Sequence, residues 1–325
     1  MSLSFAHETT ASAATHPTAQ EIATARAENI KGKNVLITGT SLNGIGFEVA
    51  RVIVKHANLV IIAGHNDERL KLSEEAIKKE TPSANIRRLI LDISSLAAVR
   101  KAAAEVNTYP EPLDVLIHNA AAGLLPFRRT VDGYESQIAT SHIGPFLFTK
   151  LLASKLLASR LTPRMIYTSS SLHADGVNLD LLKTPDETTY TTMGAYGEAK
   201  AALILTAIAI SRLSRGKILG FSLHPGIINT NINNHPDALP LLKSHGVMTE
   251  DGQPNTKDFQ WKTLGQGAAT TIAAAFDPSI ESTPGVYLDD CKVANDHVLP
   301  RTSDPAVAER LWIATEEIVG EKFEF

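Results

Sequence analysis

The sequence lacks the residues that would indicate disulfides or metal sites. It has one cysteine, Cys291, in 325 residues, and one thiol can form neither an internal disulfide nor a cysteine-based zinc site. No H-E-x-x-H pattern or cluster of metal ligands occurs, so no metal is expected. A reducing, intracellular compartment fits this composition best.

Long hydrophobic runs and an excess of one charge are also absent. The longest apolar stretch, residues 199–210, is shorter than the roughly 18–20 residues that span a bilayer, and it predicts a buried helix without a membrane span. The N-terminus has neither a basic start nor an apolar core, so no secretory signal is expected. The net charge of −4 gives no broad basic surface for nucleic acid. These absences predict a soluble, cytoplasmic protein.

The sequence does contain an alternation of short apolar runs with helical stretches. Hydrophobic residues make up 43% of the chain, enough for a sizeable core. The pattern predicts strands at residues 34–37, 59–63, 86–91, 113–118, 164–168 and 219–223, and helices at residues 46–56, 67–79, 95–106, 134–160 and 196–213. This alternation indicates a doubly wound α/β architecture, the Rossmann fold, with a parallel sheet that binds ligands at the carboxyl ends of its strands.

No repeat and no linker divides the chain, which indicates a single domain over residues 31–325. Residues 1–30 are interpreted as an N-terminal arm. Its first 18 residues show no hydrophobic period and are expected to be mobile, and residues 19–30 to form a short helix. Residues 231–265 contain three prolines and are the least regular stretch, which predicts a substrate loop or small helical lid.

A glycine-rich turn lies between the first predicted strand and the helix that follows it. It reads Thr38-Gly39-Thr40-Ser41-Leu42-Asn43-Gly44-Ile45-Gly46. Glycines let a backbone approach a pyrophosphate, which binds the free N–H groups and the positive end of the helix dipole. An ordinary strand-to-helix turn is the alternative, but the flanking strand and helix favour a dinucleotide site.

The end of the second predicted strand indicates which dinucleotide binds. Sites for NAD place a carboxylate there to accept from the ribose 2′-hydroxyl. In this chain the strand end reads Ala63-Gly64-His65-Asn66, with no acid before Asp67. Because a carboxylate would repel a 2′-phosphate, its absence favours NADP, with His65 and Arg69 as donors. NAD stays possible, since Asp67 is close and histidine carries little charge near pH 7.

Tyr196 and Lys200 are four residues apart on a predicted helix, so their side chains share one face. A phenol with a pKa near 10 is a poor base at neutral pH, and an adjacent cation would stabilise the phenolate. Three serines, at positions 169–171, follow a predicted strand where such sheets bind ligands. Each pattern alone also occurs as a surface pair or a helix cap, so the inference depends on their combination and order.

In that order the motifs resemble those of the short-chain dehydrogenase/reductase family, from about residue 31 to the C-terminus. The turn at residues 38–46 is similar to the family's T-G-x-x-x-G-x-G motif. Tyr196 and Lys200 match its Y-x-x-x-K motif, and Ser170 matches the serine that the family places upstream of this tyrosine. Three further segments match: Leu91-Asp92-Ile93 would hold adenine, His118-Asn119-Ala120-Ala121 is similar to N-N-A-G, and His224-Pro225-Gly226-Ile227-Ile228-Asn229-Thr230 would hold the nicotinamide amide through its threonine.

Within the family the chain resembles the branch of retinol dehydrogenase-like and WW-domain oxidoreductase-like members. The grounds are the long separation of Ser170 and Tyr196, His173 after the serines, and a tail at residues 285–292 that contains Cys291. The chain departs from the family pattern in three ways. The glycine turn has one extra residue, Ala121 replaces a glycine, and Ser141 occupies the segment where relatives place the asparagine of a catalytic tetrad.

The resemblance implies an NADP(H)-dependent ketoreductase that interconverts a ketone or aldehyde with an alcohol on a hydrophobic small molecule. Ser170 and Tyr196 would bind the carbonyl oxygen, with Tyr196 as general acid or base. Lys200 would hold the ribose and lower the pKa of Tyr196, and Ser141 would hold a water that refills the proton. The implied cofactor-binding residues are Gly39, Ser41, Leu42, Asn43, Gly44, Ile45, Gly46, His65, Asn66, Asp92, Ile93, Asn119, Ala120, Ala121, Tyr196, Lys200, Pro225, Gly226, Ile228 and Thr230.

Two other functions are weighed against this one. A catalytically inactive NADP-binding regulatory or scaffold protein of the same fold would be consistent with Ser141. A serine hydrolase is disfavoured because no G-x-S-x-G elbow occurs. The helix at residues 199–210 leaves two possibilities open, pairing into a homodimer or burial within one subunit.

Overall fold

An eight-stranded sheet forms the centre of the protein in a computed structural model that describes residues 16–323 and 325. The predicted mobile start of the arm, residues 1–15, lies outside the described residues. The strands of the sheet are β1 Asn34–Thr38, β2 Leu59–Gly64, β3 Ile86–Ile90, β4 Val115–His118, β5 Arg164–Thr168, β6 Leu219–His224, β9 Tyr287–Asp289 and β10 Lys292–Val293. The strand order is β10-β9-β6-β5-β4-β1-β2-β3, and β10 alone in this sheet is antiparallel to its neighbour. A separate parallel pair joins β7 Ile227–Ile228 to β8 Trp261–Lys262.

Helices cover both faces of the sheet, which confirms the doubly wound fold. Side chains alternate between the two faces along each strand. In β1, Leu36 faces one hydrophobic cluster while Val35 and Ile37 face the other. The helices are α1 Ala19–Ala25, α2 Ala27–Ile30, α3 Ile45–Ile53, α4 Asp67–Glu80, α5 Leu96–Asn107, α6 Ser136–Ile138, α7 Gly144–Leu151, α8 Ala153–Leu157, α9 Leu179–Lys183, α10 Thr192–Leu213, α11 Ala238–Ser244, α12 Leu264–Phe276 and α13 Pro305–Val319.

The predicted single helix over residues 134–160 is wrong. The segment contains α6, a π-helical turn at Ala139–Ile143, α7 and α8. Pro145 stands in the first turn of α7, where its missing N–H removes no helical hydrogen bond. Leu152 departs from helical geometry at φ −100°, ψ 3° and separates α7 from α8. Hydrophobic periodicity alone does not reveal these interruptions.

The N-terminal helices pack on the domain. Thr18 and Glu21 form a capping box that starts α1. Ala19 and Ala23 are fully buried, and α1 packs against α12. The small alanine side chains allow this close approach, so residues 19–30 contribute to the core although the sequence assigned them to the arm.

Helix α10 is largely buried within the subunit, as expected for residues 199–210. Pairing into a homodimer stays a prediction. By length and composition alone α10 could cross a membrane, but 67% of its most apolar 18-residue stretch is buried inside the protein. It lies against the sheet, and α13 packs on it. His142 joins the two helices, with Nε2 2.8 Å from Thr315 Oγ1 and Nδ1 3.2 Å from Thr206 Oγ1.

Candidate active site

A cavity of about 660 Å³ lies at the carboxyl ends of the central strands. It brings together most of the predicted site residues, which come from segments spread over about 190 residues of sequence. Those that line it are Gly39, Ser41, Gly44, Ile45, His65, Asp92, Ile93, Asn119, Ala120, Ala121, Ser170, Tyr196, Lys200, Pro225, Gly226, Ile228 and Thr230. Predicted residues that do not line it are Leu42, Asn43, Gly46, Asn66 and Ser141.

The glycine turn depends on close backbone contacts. Gly39 has φ +74°, and a Cβ there would lie 2.7 Å from the Cα of Ala120. A Cβ at Gly46 would lie 2.6 Å from the Gly39 oxygen. The Asn119 side chain donates to the carbonyls of Thr38 and Gly39 at 3.1 and 3.0 Å. The turn therefore brings the N-terminus of α3 to the cavity, and this backbone cradle fits a pyrophosphate.

The extra residue of the turn is accommodated away from the cavity. Asn43 takes a left-handed conformation at φ 60°, and the Gly44 N–H donates to the Ser41 carbonyl at 3.1 Å. The Leu42 carbonyl points to the lid, where it accepts from Asn231 Nδ2 at 2.8 Å. Leu42 and Asn43, which were expected to bind the cofactor with their neighbours, therefore lie outside the cavity lining.

The charges beyond β2 are arranged differently from the sequence expectation. Asp67 is paired with Arg88 of β3 at 2.5 Å, and Arg88 also contacts Glu74 at 3.0 Å. Arg69 lines the cavity and makes no ion pair with a described residue. Asn66 does not line the cavity, because its Oδ1 accepts from the Arg69 N–H at 2.9 Å and caps α4.

The part of the cavity where the resemblance implies adenine binding follows β3. Asp92 and Ile93 line it, and the Asp92 carboxylate accepts from the backbone N–H and the hydroxyl of Ser94 at 3.0 and 2.6 Å. Asp92 thus shapes its own loop and remains exposed to the cavity mouth.

Ser170, Tyr196 and Lys200 meet on the cavity floor. Ser170 follows β5 and is buried. Helix α10 begins four residues before Tyr196, earlier than predicted, because Thr191 Oγ1 accepts from the Gly194 N–H at 3.2 Å and caps it. Lys200 Nζ donates to the Thr168 carbonyl at 3.0 Å and lies 5.6 Å from the centre of the Tyr196 ring.

The pKa of Tyr196 moves opposite to the sequence expectation. Burial raises it, and the hydroxyl of Ser170 offsets part of that rise. Burial also lowers the pKa of Lys200 to about 8. Burial therefore outweighs the effect expected of the neighbouring Lys200, whose Nζ binds the Thr168 carbonyl. In the protein by itself Tyr196 is therefore a protonated phenol at neutral pH.

Ser141 does not line the cavity, where its predicted role in holding a water for proton transfer would place it. It belongs to the π-helical turn and is 1% exposed. Its Oγ has no hydrogen-bond partner among the described residues. The preceding residue, Thr140, lines the cavity instead. A π-helical turn shifts side chains relative to a regular helix, which sequence alignment to a motif does not predict.

Two histidines near the serines are neutral structural groups. The Ser171 N–H donates to His224 Nδ1 at 3.2 Å, and burial lowers the pKa of His224 to about 4. The Leu299 N–H donates to His173 Nε2 at 3.1 Å, so the proton is on Nδ1, which donates to the Ser170 carbonyl at 2.9 Å. Burial also lowers the pKa of His173. His173 thus ties the Ser170 loop to the C-terminal segment.

The segment after β6 forms the next wall. Gly226 has φ +94°, and a Cβ there would lie 2.5 Å from the Lys262 side chain. The Thr230 hydroxyl donates to Asn233 Oδ1 at 3.2 Å. Cys291, which lies in the turn between β9 and β10, does not line the cavity.

The lid over residues 231–265 contributes side chains that sequence reasoning did not single out. Helix α11 and the loop after it pack in a small hydrophobic cluster that also includes Tyr196. The apolar lining residues on this side are Leu124, Met193, Ile232, Leu241, Leu242 and Val247. The apolar residues within the predicted lid could have suggested an apolar cavity wall. Nothing in the sequence indicated that they pack beside Tyr196.

These features define a class of protein. A glycine turn opens a helix, a strand-end serine faces a tyrosine–lysine pair, and all of them meet at the carboxyl edge of one parallel sheet. This is the arrangement of a nicotinamide dinucleotide-binding oxidoreductase. The short chain dehydrogenase family profile matches residues 33–238, and the chain belongs to that family.

Curated relatives agree with this assignment. The chain is 35% identical over 294 residues to short-chain dehydrogenase TIC 32 B, chloroplastic, of Brassica napus, covering 87% of each chain. It is 33% identical to retinol dehydrogenase 14 of Homo sapiens, covering 89% of this chain and 87% of the relative. It is 34% identical to the WW domain-containing oxidoreductase of Danio rerio, covering 91% and 70%. The resemblance to the retinol dehydrogenase-like branch is confirmed.

Solved structures agree on the fold. An uncharacterized protein from Mycobacterium paratuberculosis superposes with a TM-score of 0.67 at 26% identity, covering 92% of this chain and 98% of that one. An NADPH-bound carbonyl reductase from chicken fatty liver superposes with a TM-score of 0.58 at 20% identity, covering 81% and 99%. The second likeness shows the fold alone.

Proposed function

We propose that the protein is an NADP(H)-dependent oxidoreductase that interconverts a ketone or aldehyde with an alcohol on a hydrophobic small molecule. One observation carries the proposal: Ser170, Tyr196 and Lys200 face the same cavity as the glycine turn. A carbonyl held beside Tyr196 would share an enclosed space with the dinucleotide. The closeness of the reacting groups is the main requirement of such a reaction.

The charges beyond β2 support NADP over NAD. Arg88 neutralises Asp67 at 2.5 Å, so this carboxylate is a weak deterrent to a 2′-phosphate. Arg69, which makes no ion pair with a described residue, and His65 line the same part of the cavity and can donate to a phosphate. NAD would bind without using these donors, so it is expected to bind more weakly.

The protonation of Tyr196 supports the reductive direction. The bound nicotinamide supplies the hydride. Tyr196, whose pKa is raised by burial, keeps its proton at neutral pH and can donate it to the carbonyl oxygen. Ser170 would hold the same oxygen and stabilise the charge that grows on it. Oxidation would need the phenolate, and its rate should rise with pH.

The cavity lining supports an uncharged, apolar substrate. Its acidic and basic residues, apart from histidines, are Arg69, Asp92 and Lys200. The first two belong to the dinucleotide end and Lys200 binds the Thr168 carbonyl. The wall beside Tyr196 is built mainly from leucine, isoleucine, valine and methionine side chains. A charged substrate group would meet mainly apolar side chains there and would lose hydration energy.

Titration of the purified protein with NADPH and NADH tests the proposal. Tight binding of NADPH and weaker binding of NADH are expected, followed by oxidation of NADPH with apolar ketones or aldehydes. Failure to bind either dinucleotide would contradict the proposal. Binding without turnover on any carbonyl would favour the alternative of a regulatory or scaffold protein. A cytoplasmic location stays a prediction, which cell fractionation would check.

A further inference from the structure

A single hydrogen bond joins two distant segments at the mouth of the cavity. Asn231 Nδ2 donates to the Leu42 carbonyl at 2.8 Å. Leu42 lies in the lengthened glycine turn after β1, and Asn231 begins the lid after β6 and β7. Asn231 lines the cavity and is exposed to solvent, so the bond lies at its rim.

The sheet topology requires this contact to cross the cavity. Strands β1 and β6 are separated by β4 and β5. Three inter-strand steps of about 4.8 Å place the two strands roughly 14 Å apart. The two loops must therefore lean toward each other above the ends of β4 and β5, where Asn119 and Ser170 line the floor.

Thr230, the residue before Asn231, is held by hydrogen bonds within its own segment. Asn233 Oδ1 accepts from the backbone N–H of Thr230 at 3.3 Å and from its hydroxyl at 3.2 Å. Asn234 Nδ2 donates to the Thr230 carbonyl at 3.2 Å. These bonds order the start of the lid, so the Asn231 amide meets Leu42 without a large loss of conformational freedom.

We propose that the Asn231–Leu42 bond is a strap that must open each time a dinucleotide enters or leaves the cavity. The extra residue of the glycine turn makes the strap possible, because the left-handed Asn43 turns the Leu42 carbonyl toward the lid. The inference rests on the proposed binding of a nicotinamide dinucleotide in this cavity. It adds a gating role for Asn231, which is a positioning residue with no part in the chemistry.

A strap of this kind has a kinetic signature. The bond forms in the protein without a ligand, and it forms again over the bound one. A contact that is equally strong in both states does not change the affinity. Its removal should therefore speed both association and dissociation. A direct contact with the ligand would instead alter dissociation and leave association almost unchanged.

Stopped-flow measurement of NADPH fluorescence on the full-length protein tests the strap. The variants are Asn231→Ala and Asn231→Leu, which remove the donor by truncation and at similar size without adding a charge. The matched control is Gln253→Ala, because Gln253 is an exposed amide of the lid that does not line the cavity. Dissociation is measured by displacement with excess NADP.

Loss of the strap should raise the association and dissociation rate constants by about threefold to tenfold in Asn231→Ala. The equilibrium Kd should stay within about twofold of wild type, and the control should behave as wild type. Unchanged rates, or a faster dissociation alone, would overturn the strap. If wild-type protein binds no dinucleotide, the proposed function itself fails, and this binding measurement comes first. Circular dichroism of each variant checks that it folds.

Discussion

The Asp67 carboxylate at the start of α4 lies 2.5 Å from the Arg88 guanidinium of the neighbouring strand β3. This pair changes the inference drawn from an acidic residue just beyond the end of β2. An isolated carboxylate would favour NAD, whereas a paired one leaves Arg69, two residues further on, as the dominant nearby charge.

Substitution of Arg69 should therefore reduce the preference for NADPH. Arg69→Ala is expected to weaken NADPH binding roughly 10- to 100-fold, because a charge-assisted contact with a phosphate is lost. NADH binding should change less than about twofold. Lys71→Ala is the matched control, since Lys71 lies on the same helix outside the cavity. Equal losses for both dinucleotides, measured by fluorescence titration, would contradict a 2′-phosphate contact.

Removal of the Tyr196 hydroxyl separates the enzyme from an inactive binding protein. Tyr196→Phe should lower kcat by at least about 10²-fold, because the proton donor is lost. Its Kd for NADPH should remain within about threefold of wild type. Tyr109→Phe, which is outside the cavity, serves as the control and should keep full activity. Retention of reductase activity by Tyr196→Phe would exclude the assigned role.

The buried Lys200 predicts a specific dependence of stability on pH. Burial lowers its pKa to about 8 from an ordinary value of 10.5. Between these values the unfolded chain binds a proton that the folded chain does not, so stability rises with pH. The cost of the buried cation is present in full below pH 8. The wild type should therefore gain up to about 3 kcal/mol relative to Lys200→Met between pH 8 and 10.5. Urea unfolding at several pH values measures this, and parallel curves would show that Lys200 titrates normally.

Gly123 is predicted to set the position of the Tyr196 ring. A Cβ at Gly123 would lie 3.2 Å from Tyr196 Cε2 and 3.6 Å from Ile232 Cγ2. Gly123→Ala should therefore displace the ring by a few tenths of an ångström and lower kcat about tenfold. NADPH binding should change little. Gly265→Ala is the control, because its Cβ would meet no atom closer than 3.7 Å. An unaltered kcat in Gly123→Ala would show that the ring has room to adjust.

Much of the fold was predictable because its signals are local. Short apolar runs indicated the six central strands, and the glycine turn indicated where α3 begins. The motif order indicated the family, because Ser170, Tyr196 and Lys200 follow the glycine turn in the order that the family pattern has. Hydrophobic periodicity indicates only which face of a segment is buried. It predicted one helix over residues 134–160, although a π-helical turn and Leu152 interrupt the helix there.

Some predicted site residues do not line the cavity, because contacts within their own segments, or for Leu42 with a distant segment, hold them elsewhere. Asn66 caps a helix and Ser141 is buried in the π-helical turn, so neither lines the cavity. The Leu42 carbonyl faces Asn231, 189 residues further on. Motif matching assigned all three to the site from their neighbours alone.

The sequence by itself determined the alternation of strands and helices, the family, and the set of chemical groups available, because these depend on residue type and spacing. The tertiary structure alone decided the charge state of Tyr196, the pairing of Asp67 with Arg88, the burial of α10 under α13, and the crossing of the cavity by Asn231. Each of these depends on distance and exclusion of water between segments remote in sequence, and electrostatic and hydrogen-bond energies change steeply with both.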